Sequence, residues 1–274
     1  MPELPEVETI RRQLEREVVA HRITTIVVHR SDVLRGDSAN LNAQTLTGVR
    51  RFGKLLVLDF ENSISACIHL KMTGRLTLLS STATLPGHTH VEFYLQSGKE
   101  VRRIAFSDMR RFGYIHILPS DQVEALPFIT RLGKEPLKNL SFQDFQTLLL
   151  RSARGIKTLL LDQSKIAGIG NIYACEALWI AKISPLKISK NLTALEQKNL
   201  FSAIEEVLQE GIIRGGASDN TYRDLLGEKG RYQQFFKVYG RKGKPCSRCQ
   251  SSIERVVVGG RGTWLCPNCQ LHTE

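Results

Sequence analysis

The sequence predicts an α+β chain of several domains. An opening amphipathic helix leads into a β-sandwich or barrel, a helical segment containing a helix-turn-helix follows, and a metal-stapled β-hairpin ends the chain. Three observations carry this expectation. Between Arg22 and Leu118 the hydrophobic residues fall in short alternating or apolar runs separated by Gly, Ser and Asn, which is the pattern of strands and turns. After Ser141 the apolar spacing lengthens to that of helices. Four of the six cysteines form two Cys-x2-Cys pairs, Cys246/Cys249 and Cys266/Cys269, with sixteen residues between them.

Each element has its own warrant. Leu4, Val7, Ile10, Leu14 and Val18 recur every three or four residues, so a helix opens almost at the N-terminus, and Pro2 and Pro5 suit a first turn that needs no amide donors. The runs RITTIVVH, LLVLDF, ISACIHL, VEFYLQ, VRRIAFS and GYIHIL read as strands. Pro119, Pro127 and Pro136 punctuate a stretch of weak periodicity, which places an interdomain linker at residues 119–140. Ser141/Asp144 and Thr193/Glu196 are capping boxes ahead of apolar-periodic runs. Two helical patterns flank the glycine-bearing turn at Gly168 and Gly170. SSIERVVVGGRGTWL, between the cysteine pairs, is strand, Gly-Gly turn and strand, with Arg261 at the tip. The expected domains are 1–118, 141–236 and 237–274.

Composition narrows the function classes. The 274 residues are 42% hydrophobic and 24% charged, a globular profile. No apolar run approaches the ~18 residues of a membrane span, and the first ten residues carry three glutamates where a secretory signal would be basic. A cytosolic protein is expected. The net charge of +11 favours a polyanionic partner, and the last 61 residues, from Arg214 on, hold 11 Lys/Arg against 5 Asp/Glu. Nucleic acid leads. The paired cysteines fit one structural zinc ion better than disulfides, because two-residue gaps let thiolates share a metal and a reducing compartment disfavours disulfides. Cys67 and Cys175 lie in apolar runs and read as buried small hydrophobes.

Several residues could carry chemistry. Removal of Met1 would leave Pro2 as an N-terminal secondary amine; an α-amine titrates near ~8, against ~10.4 for lysine, and so is more often unprotonated at neutral pH. The helix N-terminus lowers that value further, and Glu3 and Glu6 supply carboxylates beside it. An amine with two carboxylates can form an imine and move protons, although an acidic helix start would use the same residues for capping alone. Lys54, just before a strand, reads as a phosphate contact or a solvated edge charge. Met72, Arg110 and Phe112 sit in turns with Gly and Arg, where they could wedge into a base stack or pack in a core. The GIGN turn at 168–171 offers backbone amides and Asn171 to a phosphate, with Arg261 as a second grip.

In order along the chain, PELPEVE, RRFGK, HLKMTG, SDMRRFG, DQSKIAGIGNIY, VYGRKGKPC and GGRGTWLCPNCQ resemble the formamidopyrimidine-DNA glycosylases. The resemblance spans nearly the whole chain. It implies an N-terminal β-sandwich, a helix-two-turn-helix domain and a C-terminal zinc finger, with duplex DNA across the cleft between them and a monomer at work. It also implies that Pro2 attacks C1′ of the damaged nucleotide while Glu3 acts as acid. The resulting imine leads to strand cleavage by β- and δ-elimination. Lys54 and Arg261 join the catalytic set as phosphate contacts, with His69, Asn171 and Tyr239 holding further phosphates. Glu6 anchors the site, and Met72, Arg110 and Phe112 fill the gap in the duplex, Arg110 facing the orphaned cytosine. Residues 217–233, ASDNTYRDLLGEKGRYQ, depart from the family's usual sequence at the position of the loop that closes over the flipped base. PELPE rather than PEGPE favours oxidised purines, namely 8-oxoguanine and formamidopyrimidines. The alternatives are an endonuclease VIII-like enzyme for oxidised pyrimidines and a non-catalytic damage-binding homologue. The resemblance also implies a cytoplasmic, nucleoid-associated repair enzyme.

Overall fold

The computed structural model describes residues 2–219 and 221–271, so the expected removal of Met1 and the Asn220 position of the divergent segment lie outside the described residues. The chain forms two compact units: residues up to Thr130 together with Arg214–Arg231, and Arg131–Ile213 together with the chain from Tyr232 on.

In the first unit, helix α1 (Leu4–Val18) is followed by strands β1 (Arg22–Val28), β2 (Leu34–Arg35), β3 (Leu46–Phe52), β4 (Leu55–Phe60), β5 (Ile64–His69), β6 (Gly74–Ser80), β7 (Thr89–Ser97), β8 (Glu100–Asp108) and β9 (Tyr114–Pro119), then the single turn α2 (Pro127–Thr130). The strands make two sheets, in the orders β1-β7-β8-β6 and β2-β9-β5-β4-β3. One core joins them. Val7, Ile10, Leu14 and Val18 of α1 pack there with Leu56, Leu58 and Ile68 of one sheet and Phe93, Ile104 and Phe106 of the other. The helical stripe is thus buried against a sandwich, as its spacing predicts.

The stretch expected as a linker, 119–140, is partly packed chain. Strand β4 buries both faces: Leu55 and Val57 point away from the sandwich core and are covered by Val123, Leu126, Phe128 and Ile129. An apolar outer sheet face draws the following chain onto itself, which weak periodicity could not reveal. Residues 214–231, grouped by sequence with the helical domain, return to the first unit. Leu225 enters the sandwich core, and its carbonyl accepts Leu78 N at 2.7 Å on edge strand β6. The edge is thereby covered.

The second unit contains α3 (Phe142–Leu150), α4 (Ile156–Leu161), α5 (Asn171–Ile180), α6 (Ala194–Ile213) and the hairpin β10 (Glu254–Val258) and β11 (Arg261–Leu265). Both capping boxes form: Asp144 N and Glu196 N donate to the Ser141 and Thr193 hydroxyls, at 3.1 and 3.3 Å. Between α4 and α5 the Gln163 side chain organises the turn, donating to Ile169 O and accepting Gly168 N. Helix α5 is apolar nearly all round and is buried accordingly. Gly211, in the last turn of α6, makes room for Tyr173, since a Cβ there would lie 2.5 Å from the tyrosine ring. The hairpin packs within the second unit, where Cys246, Ile253 and Cys266 share a core with Cys175 and Trp179 of α5.

Candidate active site and nucleic-acid contacts

The first unit carries the N-terminal turn. Pro2 and Glu3 are buried, Glu3 is the N-cap of α1, and Glu6, 1% exposed, lies one turn on. One Glu6 oxygen accepts Glu3 N at 2.7 Å and the other accepts Ala217 N at 2.7 Å. The two charge-assisted bonds fix the backbone that bears Pro2 and Glu3.

Lys54, also buried, stands in the turn between β3 and β4. Strand pairing sets Leu55 opposite His69, so Lys54 and His69 lie at one end of the sheet. His69 Nδ1 accepts Lys71 N at 3.0 Å. Burial, reinforced by the charges of Lys71 and Lys54, holds the ring pKa down to about 3. Imidazole accepting at Nδ1 and uncharged carries its proton on Nε2, which makes it a neutral donor.

Two adjacent loops present the wedge candidates. Met72 follows Lys71, whose φ is +50°, and Arg110 and Phe112 flank Arg111, whose φ is +56°. Met72 and Phe112 are 42% and 53% exposed, against the reading of either as core. Arg110 Nη1 lies 3.1 Å from Met72 Sδ, and its guanidinium lies 4.7 Å from the Phe112 ring centroid. Asp108, 1% exposed, ties the loops: its carboxylate accepts Gly113 N at 2.7 Å, Arg110 N at 3.1 Å and the Thr73 hydroxyl. Sequence reasoning missed Asp108. Its signal was an aspartate at a strand end ahead of a turn.

The second unit holds the other candidates. Gly259 and Gly260, with φ of +57° and +73°, make the two-residue hairpin turn, and exposed Arg261 follows it. Asn171, at the start of α5, donates Nδ2 to Gly262 O at 2.9 Å, so one of its two amide hydrogens holds the strand next to Arg261. Its buried Oδ1 accepts no hydrogen bond from a described residue. Fully buried Lys157 donates to the Thr263 hydroxyl at 2.6 Å and to Gly262 O at 3.3 Å. Glu176 accepts the amides of Lys237, Val238 and Tyr239, fixing the backbone at Tyr239, whose ring lies 4.4 Å from that of Trp264. Lys157 and Glu176 also escaped the sequence reading, each being a charge inside an otherwise apolar helical run.

The sulfurs of Cys246, Cys249, Cys266 and Cys269 all lie within 4.8 Å of one another. Four thiolates at zinc-bond lengths of ~2.3 Å have tetrahedral edges of about 3.8 Å, so the set fits one structural zinc ion with no open position. Arg248 N and Cys269 N point at Cys246 Sγ and Cys266 Sγ, which favours thiolates. Cys67 and Cys175 are the inert pair expected: burial pushes the Cys67 thiol up to about 12 and raises that of Cys175.

Comparison with known proteins agrees with this order of domains. Residues 1–115 match the formamidopyrimidine-DNA glycosylase N-terminal domain, 132–223 the formamidopyrimidine-DNA glycosylase H2TH domain, and 243–271 the zinc finger found in FPG and IleRS. The chain is 42% identical to the formamidopyrimidine-DNA glycosylase of Pelotomaculum thermopropionicum, covering 98% of this chain and 99% of the relative. It is 40% identical to that of Cytobacillus firmus, with 99% and 100% covered. Among solved structures, the Lactococcus lactis Fpg bound to DNA with an abasic site superposes with a TM-score of 0.91 at 35% identity, covering 98% of this chain and 100% of that one. A MutM complex with DNA containing carbocyclic 8-oxo-G superposes at 0.90 and 34% identity, with 99% and 100% covered.

Proposed function

The chain belongs to the formamidopyrimidine-DNA glycosylase family, and on that premise we propose that it excises oxidised purines from duplex DNA and cuts the strand at the same site, in base excision repair. The observation that carries this reading is the buried turn of Pro2, Glu3 and Glu6, which puts an amine-bearing residue and two carboxylates at one helix N-terminus. DNA containing an abasic site, 8-oxo-G or Fapy-dG, bound by the structural relatives, supplies the substrate class.

With Met1 removed, the Pro2 nitrogen attacks C1′ of the lesion nucleotide. The bond from C1′ to the base breaks, and Glu3 supplies the proton that assists sugar-ring opening and base departure. The iminium acidifies the C2′ hydrogen, so loss of that proton expels the 3′ phosphate; a second elimination expels the 5′ phosphate. Glu6 holds the turn. Lys54, neutral His69, Asn171, Tyr239 and Arg261 take phosphates, and Met72, Arg110 and Phe112 occupy the gap in the duplex. The zinc ion, held by four cysteines, shapes the hairpin that presents Arg261 and takes no chemical step. Chemistry is assigned to residues 1–118, and backbone grip to the helical region and the zinc finger. A cytoplasmic, nucleoid-associated monomer is the matching cellular form; among the described residues no helix is long and apolar enough to cross a membrane.

Borohydride trapping tests the reading. A covalent adduct mapping to Pro2, formed with duplex carrying 8-oxoguanine opposite cytosine, is the expected result. An adduct formed only with an oxidised pyrimidine opposite adenine would reassign the lesion class, and no adduct from Met-processed protein would leave damage binding without chemistry.

A further inference from the structure

The divergent segment is fastened to the first unit at separate points, and one of them lies outside the machinery described so far. Near its start Ala217 N bonds to Glu6. Midway, buried Tyr222 donates its hydroxyl to Glu6 O at 3.3 Å. Further on, Gln13 of α1 spends both ends of its amide on neighbouring residues: Nε2 donates to Asp224 Oδ2 at 2.7 Å, and Oε1 accepts Leu225 N at 2.9 Å. Asp224 also accepts Leu226 N at 3.0 Å and Glu228 N at 2.8 Å, so the clamp reaches into the following turn.

What the clamp holds in place is informative. Thr221, next to the Tyr222 anchor and three residues before Asp224, lines a cavity with Thr73, Arg75, His88, Ser107 and Met109, all within this unit. Hydroxyls, a guanidinium and an imidazole make a lining suited to the edge of a polar heterocycle. Thr73 also connects that lining to Asp108 and the wedge loops.

We infer that Gln13 is a positioning residue for recognition of the damaged base: by clamping Asp224 and Leu225 it sets Thr221 against the cavity that receives an oxidised purine. This inference rests on the proposed glycosylase reading and adds a residue to it. Gln13 acts on the base and not on the phosphates or the amine. Its removal leaves the Leu225 amide without its side-chain acceptor and Asp224 Oδ2 without the Gln13 donor, so at these two residues the tie to α1 is lost while the Leu78 bond to Leu225 O remains. An abasic site offers no base to recognise, and strand cleavage there does not need the clamp.

The test compares single-turnover cleavage of two duplexes, one with 8-oxoguanine opposite cytosine and one with a preformed abasic site, by wild type, Gln13→Ala, Gln13→Glu and the double swap Gln13→Glu with Asp224→Asn. In the swap the new carboxylate accepts the Leu225 amide and a donor from the new amide at 224, whose oxygen still serves residues 226 and 228. Both single variants are expected to lose about ten-fold or more on 8-oxoguanine, with abasic cleavage unchanged and the swap restoring excision. Faster tryptic cutting at Arg223 in Gln13→Ala, reversed by the swap, is the accompanying signature. Wild-type excision in Gln13→Ala, equal losses on both duplexes, or a swap that restores nothing would overturn the inference. A wild-type enzyme that fails on 8-oxoguanine would instead overturn the functional reading beneath it.

Discussion

His69 shows how a single residue is tuned by its surroundings. Burial first, then the charges of Lys71 and Lys54, press its pKa from 6.5 to about 3, so the ring is neutral at every pH where the enzyme would work. Folding therefore disfavours its protonation. Stability from this residue is complete above pH 6.5 and is lost as pH falls towards 3. Glu8 differs: burial works against its ionised form, but the guanidinium groups of Arg11, Arg51 and Arg12 prevail and hold it at about 2, so its contribution fades only below pH 4.5. A window between pH 7 and pH 5 separates the two. Wild type is expected to lose urea midpoint across that window, and His69→Asn to lose less; equal losses would mean that the folded ring titrates normally. Among the proposed site residues, Pro2, Glu3, Lys54, Asn171 and Arg261 could be nominated from the sequence because motifs hold them. Asp108, Glu176 and Gln13 were not read: Asp108 left only the signal of a strand-end aspartate, and the partners of Glu176 and Gln13 lie far along the chain. Spacing carries no trace of such pairs.

Among the elements, the zinc hairpin is the most legible, since two cysteine pairs and a Gly-Gly turn specify it locally. Helix α1 was equally plain from its stripe. What spacing hid is where elements dock: residues 123–129 cover a sheet face, and the hairpin joins α5, with Arg248 donating to Trp179 O and Ile180 O and Gln270 to Ile183 O. Docking makes the metal a structural member of the second unit. Cys249→Ala, or chelation of the ion, should release the cysteine knuckles and with them the placement of Arg261 and Gly262, so DNA affinity falls at least ten-fold while excision per bound complex changes far less. Binding isotherms and single-turnover rates on the same preparation check this. Unchanged affinity in metal-free protein would contradict a structural zinc.

For the whole molecule, net charge is the property a sequence reports best and localises worst. The +11 total favours a polyanionic partner, but it does not say which cations meet phosphates. The structure divides the proposed phosphate contacts into charged and neutral ones. Lys54 and Arg261 are cations; His69 is uncharged, and Asn171 and Tyr239 are neutral by nature. Only cations release counterions, so the salt dependence of binding counts them and ignores the rest. Arg261→Ala should lower affinity and flatten the plot of log K against log salt by roughly 0.9, the slope of one phosphate on duplex DNA. His69→Asn should also weaken binding yet leave the slope where it was, because a neutral donor and a neutral amide displace the same number of ions. Fluorescence titrations with one abasic-analogue duplex over a range of potassium chloride concentrations separate the two kinds of contact. A slope that flattens in His69→Asn as much as in Arg261→Ala would show the histidine bound to phosphate as a cation, the phosphate then outweighing both the burial and the lysine charges that keep the ring neutral.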